Sequence, residues 1–298
     1  MRTDFIVIGD GSAPVVNGHR VPRGTGRQCV DASRRLRRLG ATVIDVPSLA
    51  AKHLPAAYLG TPPDVRLTST GPDRRDSHLH VQSSGAVLRG QAAAEATTLL
   101  ARRDRTAATV SYDLNVGSTA NGMSASDRTA IEFLIGCSDI VTMSECDLVA
   151  LRRGERYADA VRWVMARGPA IIALTDDLGG YVGYFRGGSV VHSRRNADVG
   201  ATRGAGRALS VGLLHALDGR GLLGAGAHDA LRRIGRGEAH DVFSDANRHG
   251  ASTSSPLGSA PRHESNSAGG RTLTRNVALQ RRAQPLDELV RAHGHHRR

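Results

Sequence analysis

The sequence predicts a three-layer α/β/α fold around a mostly parallel central sheet, and two observations carry that reading. Short runs rich in Val and Ile recur along the first two thirds of the chain, and amphipathic stretches separate them, which is the alternation expected of a parallel sheet covered on both faces. FIVIG (5–9) and TVIDV (42–46) flank DASRRLRRLG, whose Leu36 and Leu39 sit at helical spacing. LHV (79–81), ATVSYDLNV (108–116), DIVTM (139–143) and AIIALT (170–175) read as further strands. QAAAEATTLLARR (91–103), SDRTAIEFLIG (126–136) and ADAVRWVMARG (158–168) read as helices, with Ser126 as a cap and Gly136 and Gly168 as stops. YVGYF and SVVHS (181–185 and 189–193), split by Arg-Gly-Gly, read as a hairpin, and a long helix follows from 205 to 217. After about residue 240 the character changes. The stretch 247–272 is rich in Ser, Gly, Asn and His and nearly free of large apolar residues, too little to offset the entropy of ordering it. The expected organisation is therefore an α/β domain over 1–240, a polar disordered segment over 241–278, and a C-terminal piece with a basic His/Arg tail over 279–298.

Composition narrows the function. The chain has 298 residues, 40% of them hydrophobic, enough for one large α/β domain or two smaller ones. No apolar run approaches the roughly 18 residues of a membrane span. Cys29, Cys137 and Cys146 are odd in number and share no C-x-x-C spacing, which suits a reduced, cytoplasmic setting. The net charge of +12 raises nucleic acid as a partner. Against it, Lys52 is the only lysine, the arginines are scattered, and aromatic residues are 3% of the chain, leaving few stacking platforms.

In parallel sheets ligands sit at the carboxyl ends of the strands. The segment there with the clearest chemistry is ATRGAGRALSVGLLHAL (201–217). Gly204, Ala205 and Gly206 permit a tight turn with backbone N–H groups pointing outward, and the helix start adds partial positive charge. Together they suit an anion such as a phosphate. Arg207 follows at once. Other motifs agree in order: GRQCVDASRRLRRLG (26–40), SYDLNV (111–116), DIVTMSECDLVAL (139–151), IIALTDDLGG (171–180) and LQRRAQPLDEL (279–289). This series resembles the ribokinase/PfkB family of carbohydrate kinases, and its bacterial fructokinase branch in particular. The resemblance covers most of 1–240 and returns near the end.

The resemblance implies a ribokinase-like fold and ATP-dependent phosphoryl transfer to a sugar such as fructose. It implies ATP and Mg²⁺ as cofactors, and it allows a homodimer. Thr175, Gly180, Thr202 and Gly204 to Gly206 match the nucleotide side. Asp31 and Asn115 match the sugar side. Ser144 and Asp147 keep an S-x-x-D arrangement through which the family acts on its metal. The departures are as specific. The family's general base falls on Arg207, which has no acceptor and stays protonated. The preceding family Asp is Ala201, and the sugar-side Asn is Asp31 with Arg27 replacing a Gly. The early Asp falls on Pro14, an Arg falls near Gly117, a Lys is Met143, and a nucleotide-side Gly is Asp177. The span from Gly40 to Asp113 is short for the family, so the lid over the sugar is expected to be reduced or absent. These departures imply impaired catalysis, with a slow but active sugar kinase and a basic interaction module as alternatives.

Other signals have plainer readings. His78 and His80 have strand spacing that suits a metal, but no third ligand lies nearby, so a surface pair is expected. Trp163, at packing spacing with Val161 and Val164, is expected in the core. Arg34, Arg35, Arg37 and Arg38 read as a solvated helix face. The cysteines read as buried or incidental thiols.

Overall fold

The computed structural model describes residues 3–9, 27–46, 77–83, 100, 108–116, 123–176, 180–192 and 205–254. Eight strands form one sheet: β1 (Asp4–Gly9), β2 (Thr42–Val46), β3 (Ser77–Ser83), β4 (Ala108–Leu114), β5 (Ile140–Ser144), β6 (Ile171–Thr175), β7 (Tyr181–Phe185) and β8 (Gly188–His192). Their order is β2-β1-β3-β4-β5-β6-β7-β8. The first six strands pair in parallel, and β7 and β8 close one edge antiparallel. The predicted mostly parallel sheet and its terminal hairpin are therefore present.

Helices lie on both faces. The described ones are α1 (Arg27–Arg38), α2 (Ala125–Cys137), α3 (Glu145–Leu151), α4 (Tyr157–Ala166), α5 (Ala205–Asp218), α6 (Ala227–Arg232) and α7 (Arg236–Ser254). On one face α2, α3 and α4 bury Ile131, Leu134, Leu148, Val161 and Val164 against Leu79, Val110, Tyr112, Val141 and Ile172. On the other, α1, α5, α6 and α7 bury Leu36, Leu213, Leu231 and Phe243 against Phe5, Val7, Ile171 and Tyr181. Alternation along each strand sends its apolar residues to the two layers in turn, which is why nearly continuous apolar runs are needed here.

Local chemistry sets the element ends. α1 begins at Arg27, earlier than the predicted segment, and stops where Gly40 takes a left-handed φ of +82°, a C-terminal position that favours glycine. Its arginines Arg34, Arg37 and Arg38 are exposed while Leu36 is buried, as expected of a solvated face. The cap of α2 is Ser124, whose hydroxyl accepts from the Asp127 N–H, and Ser126 only touches that hydroxyl. The predicted cap at Ser126 is thus two residues late. The helix also runs one residue past the predicted Gly136 stop, to Cys137.

Two further expectations are corrected. Trp163 is half-buried at the edge of its layer, with the Arg152 and Arg167 guanidinium groups 4.3 and 3.2 Å from its ring centroid. Those long side chains cover the indole that the core leaves open. Cys137 is half-buried and Cys146 exposed. The change of character expected at residue 240 falls inside α7, which continues to Ser254 because Val242, Phe243 and Ala246 give it an apolar face against the sheet. The segments 47–76 and 84–99, on which the reduced lid rests, lie outside the described residues, as do the C-terminal piece and most of the helix predicted over 91–103.

The antiparallel edge is fixed by one close approach. A Cβ placed on Gly183 would lie 2.2 Å from the Phe243 ring, so the aromatic ring of α7 lies directly on the backbone of β7. The Tyr181 hydroxyl donates to the Phe243 carbonyl, tying the same two elements, and burial raises the Tyr181 pKa far above its ordinary value. Gly183→Val is expected to displace Phe243 and lower stability by about 1–3 kcal/mol, the range typical of overpacked cores. Chemical denaturation of the variant measures this, and a change under half that size would mean α7 adjusts freely.

Candidate functional site

The carboxyl ends of β4, β5 and β6 lie side by side, with Ser144 of β5 opposite Thr175 of β6. The amino end of α5 meets them: Gly206 packs on Thr175, where an added Cβ would lie 3.4 Å from the hydroxyl. This brings together residues drawn from segments 30 to 60 positions apart. A helix start carries backbone N–H groups without helical partners and partial positive charge. Ala205, Gly206 and Arg207 form the first turn of α5. Thr175, half-buried, donates weakly to the Met143 carbonyl at 3.4 Å. Gly180 donates to the Asp176 carboxylate at 2.7 Å, and the Asp176 N–H donates back to its carbonyl at 2.9 Å, closing the turn after β6. The predicted residues Thr202, Gly204 and Asp177 lie outside the described residues. Asp31 is on α1, away from this turn in sequence and described there by its backbone alone.

Asp147 is predicted to act on a metal, and its surroundings are specific. It forms a capping box at the start of α3: the Asp147 N–H donates to the Ser144 hydroxyl at 3.1 Å, and the Ser144 N–H donates to Asp147 Oδ2 at 3.0 Å. The Ser144 hydroxyl also reaches Oδ2 at 2.6 Å, and the Val116 N–H donates to Oδ1 at 2.9 Å. A carboxylate offers about four lone-pair directions, and protein donors use three of them. The fourth leaves room for one water or ligand. Among the described residues no group of three or more His, Cys, Asp or Glu is placed to hold a metal ion. The start of α5 offers backbone N–H groups of the kind that bind anions.

Sequence reasoning missed a polar network on the same side of the sheet. Three residues of β3 stand opposite three of β4: His78 opposite Thr109, His80 opposite Ser111, and Gln82 opposite Asp113. All six belong to the face covered by α1 and α5, since Leu79, Val81, Val110 and Tyr112 point into the other layer. His78 and His80 are both fully buried, which overturns the expected surface pair. His78 Nδ1 lies 2.8 Å from the Thr109 hydroxyl and its Nε2 lies 2.8 Å from the Ser111 hydroxyl. His80 Nδ1 lies 2.8 Å from that same Ser111 hydroxyl. At the amino end the Gly224 N–H donates to the Thr109 hydroxyl at 2.9 Å. At the carboxyl end Gln82 donates to Asp113 Oδ2 at 3.3 Å and Thr142 donates to Oδ1 at 2.9 Å. Ser210 of α5 lies 3.2 Å from the Thr142 hydroxyl. Asp113 and Asn115, predicted from their strand motif, are half-buried at this end. The signal was the polar residue at every second position in both SHLHVQS and ATVSYDL. Alternation usually means a wet face, and here helices cover it.

No family model matches this sequence, and no curated protein matches it at a significant level. Solved structures do match. An aminoimidazole riboside kinase from Salmonella enterica is 18% identical over 84% of this chain and 92% of that one, with a TM-score of 0.58. A fructokinase from Xylella fastidiosa is 15% identical over 93% of this chain and 98% of that one, with a TM-score of 0.57. A double-mutant fructokinase from Vibrio cholerae, bound to fructose, ADP and potassium ion, is 15% identical over 86% and 94%, with a TM-score of 0.56. The chain has the ribokinase/PfkB-like fold. Among the described residues no helix is long and apolar enough to cross a membrane.

Burial lowers the His80 pKa from the ordinary 6.5 to about 4. A histidine held neutral when folded takes up a proton on unfolding once the pH falls below 6.5. Its contribution is therefore complete above that pH and is lost progressively down to about 4. Between pH 7 and pH 5 the protein is expected to lose about 2 kcal/mol of stability from this residue. Denaturation at the two pH values, with His80→Phe for comparison, measures it, and equal slopes in the two proteins would overturn it. Asp147→Ala should lower stability by about 2 kcal/mol by removing the capping box and the Val116 tether together. A loss near zero in urea denaturation would mean that solvent replaces both.

Proposed function

We propose that this chain is a carbohydrate-kinase-like protein that keeps a phosphate-binding helix start and has lost efficient phosphoryl transfer. The observation that carries this reading is the position of Arg207, in the first turn of α5 beside the ends of β5 and β6. Under the resemblance, that position belongs to the base that takes the sugar hydroxyl's proton. An arginine attracts phosphate but accepts no proton. Ala205 and Gly206 supply backbone N–H groups for the nucleotide phosphates, with Gly204 and Thr202 before them, and Thr175 and Gly180 border the nucleotide side. Asp31 and Asn115 are the remaining sugar-side polar groups. ATP, when bound, supplies the transferable phosphoryl group. Asp147 serves first as the cap of α3 and reaches a metal only through the one acceptor direction it has left. Solved structures with this fold carry ATP in a Xylella fastidiosa fructokinase and an ATP analogue with aminoimidazole riboside in the Salmonella enterica kinase, which supports nucleotide as the ligand.

The test is calorimetric titration with Mg·ATP on protein that unfolds cooperatively. Saturable binding at micromolar nucleotide is expected, and no binding would overturn the reading. With fructose and aminoimidazole riboside as acceptors, Arg207→Asp is expected to raise ATP-dependent sugar phosphorylation about 10²-fold or more over the parent, the size of a general-base contribution. A parent as active as Arg207→Asp would favour a slow sugar kinase that works without this base.

A further inference from the structure

One set of hydrogen-bond directions runs through the whole β3–β4 network, and the water site proposed below requires that set. In it the Thr109 hydroxyl accepts from Gly224 and donates to His78 Nδ1. His78 then carries its proton on Nε2 and donates to Ser111, and Ser111 donates to His80 Nδ1. This leaves His80 with Nε2–H, a fully buried donor that finds no acceptor among the described residues. Two positions along on the same face, Gln82 is fixed by the carboxylate beside it: Asp113 only accepts, so the Gln82 nitrogen faces it and the Gln82 oxygen points elsewhere. That Oε1 is a buried acceptor with no donor among the described residues. Residues two apart on one strand face stand roughly 7 Å apart, and a water spans such a gap by accepting on one side and donating on the other. Among the described residues the Ser33 hydroxyl is likewise buried without a partner, and it belongs to α1 in the helix layer over this face.

We propose that one internal water binds between His80 Nε2 and Gln82 Oε1, and that through it His80 is a positioning residue for the Asp113 carboxylate. The water completes an unbroken file from Gly224 at the amino ends of the strands to Asp113 at their carboxyl ends, with every donor aimed toward Asp113. A second, shorter file arrives from α5, in which Ser210 donates to Thr142 and Thr142 to the other carboxylate oxygen. Hydrogen bonds aligned in series polarise one another, so Asp113 is oriented by both. The site involves neither nucleotide nor Arg207, and it stands or falls apart from the reading above.

Nuclear magnetic resonance on ¹⁵N,¹³C-labelled protein without nucleotide tests it. Both imidazoles are expected protonated on Nε2, and the His80 Nε2–H is expected to show cross-relaxation to a long-lived water. An Nδ1–H tautomer at His80, or cross-relaxation to the Ser33 hydroxyl in place of water, would overturn the water site. The carboxyl ¹³C resonance of Asp113 at neutral pH reads the positioning. It should move in Gln82→Leu and, by a smaller amount, in His80→Phe, although His80 does not touch it. It should stay in place in His228→Gln, a substitution outside the file. His80→Gln, which restores a donor, should bring the resonance back toward the parent and also covers failure of His80→Phe to fold. No movement in any His80 variant would overturn the positioning role.

Discussion

The rest of this molecule is arranged around the polar face of the β3–β4 pair. Those strands are central in the sheet, and central strands of a parallel sheet are covered on both sides. Their outward face in one layer is apolar, yet the face under α1 and α5 carries two imidazoles, two hydroxyls, an amide and a carboxylate. Buried polar groups destabilise a core unless they find partners. The register supplies them: each polar residue of β3 stands directly opposite one of β4, so side chains reach across the ladder rather than up into the helices. The helix layer then needs only a few tethers, at Gly224 and Ser210, to seal the ends.

That arrangement links the fold to the candidate site. The same ladder that satisfies His78 and His80 ends at Asp113, and Asp113 is joined through Thr142 to Ser210 on α5. Ser210 is one turn beyond the start of α5, where Gly206 meets Thr175. The helix suited to an anion is therefore held to the centre of the sheet by hydrogen bonds as well as by its apolar face. Asp147 plays a parallel part in the first turn of α3, just after β5, where one carboxylate caps the helix and holds Val116 beyond the end of β4. Asp147, with three protein donors, and Asp113, with Gln82 and Thr142, are thus both tied into the architecture.

The sequence was legible where periodicity dominates. The Val/Ile runs gave the strands, the apolar spacing gave α2, α4 and α5, and Arg-Gly-Gly gave the hairpin turn. The order of motifs pointed to the ribokinase/PfkB-like fold when single motifs were weak. It was less legible at element ends: Ser124 and Ser126 have the same chemistry, and only the direction of the chain decides which one caps. The end of the α/β unit was misplaced at 240 because α7 is polar on average, and its few apolar residues matter only once β7 offers Gly183 for Phe243 to lie on.

The sequence by itself therefore determined the strand and helix alternation and the glycines at the start of α5, because both depend on residue type and local spacing. The tertiary structure alone decided that the alternating polar residues of β3 and β4 are buried, that Asp147 is largely consumed as a cap, and that Thr175 touches Gly206. Those outcomes depend on which surfaces meet across long separations in the chain. A pattern of alternating polarity records only that a strand has two different faces, not whether water or a helix covers the polar one.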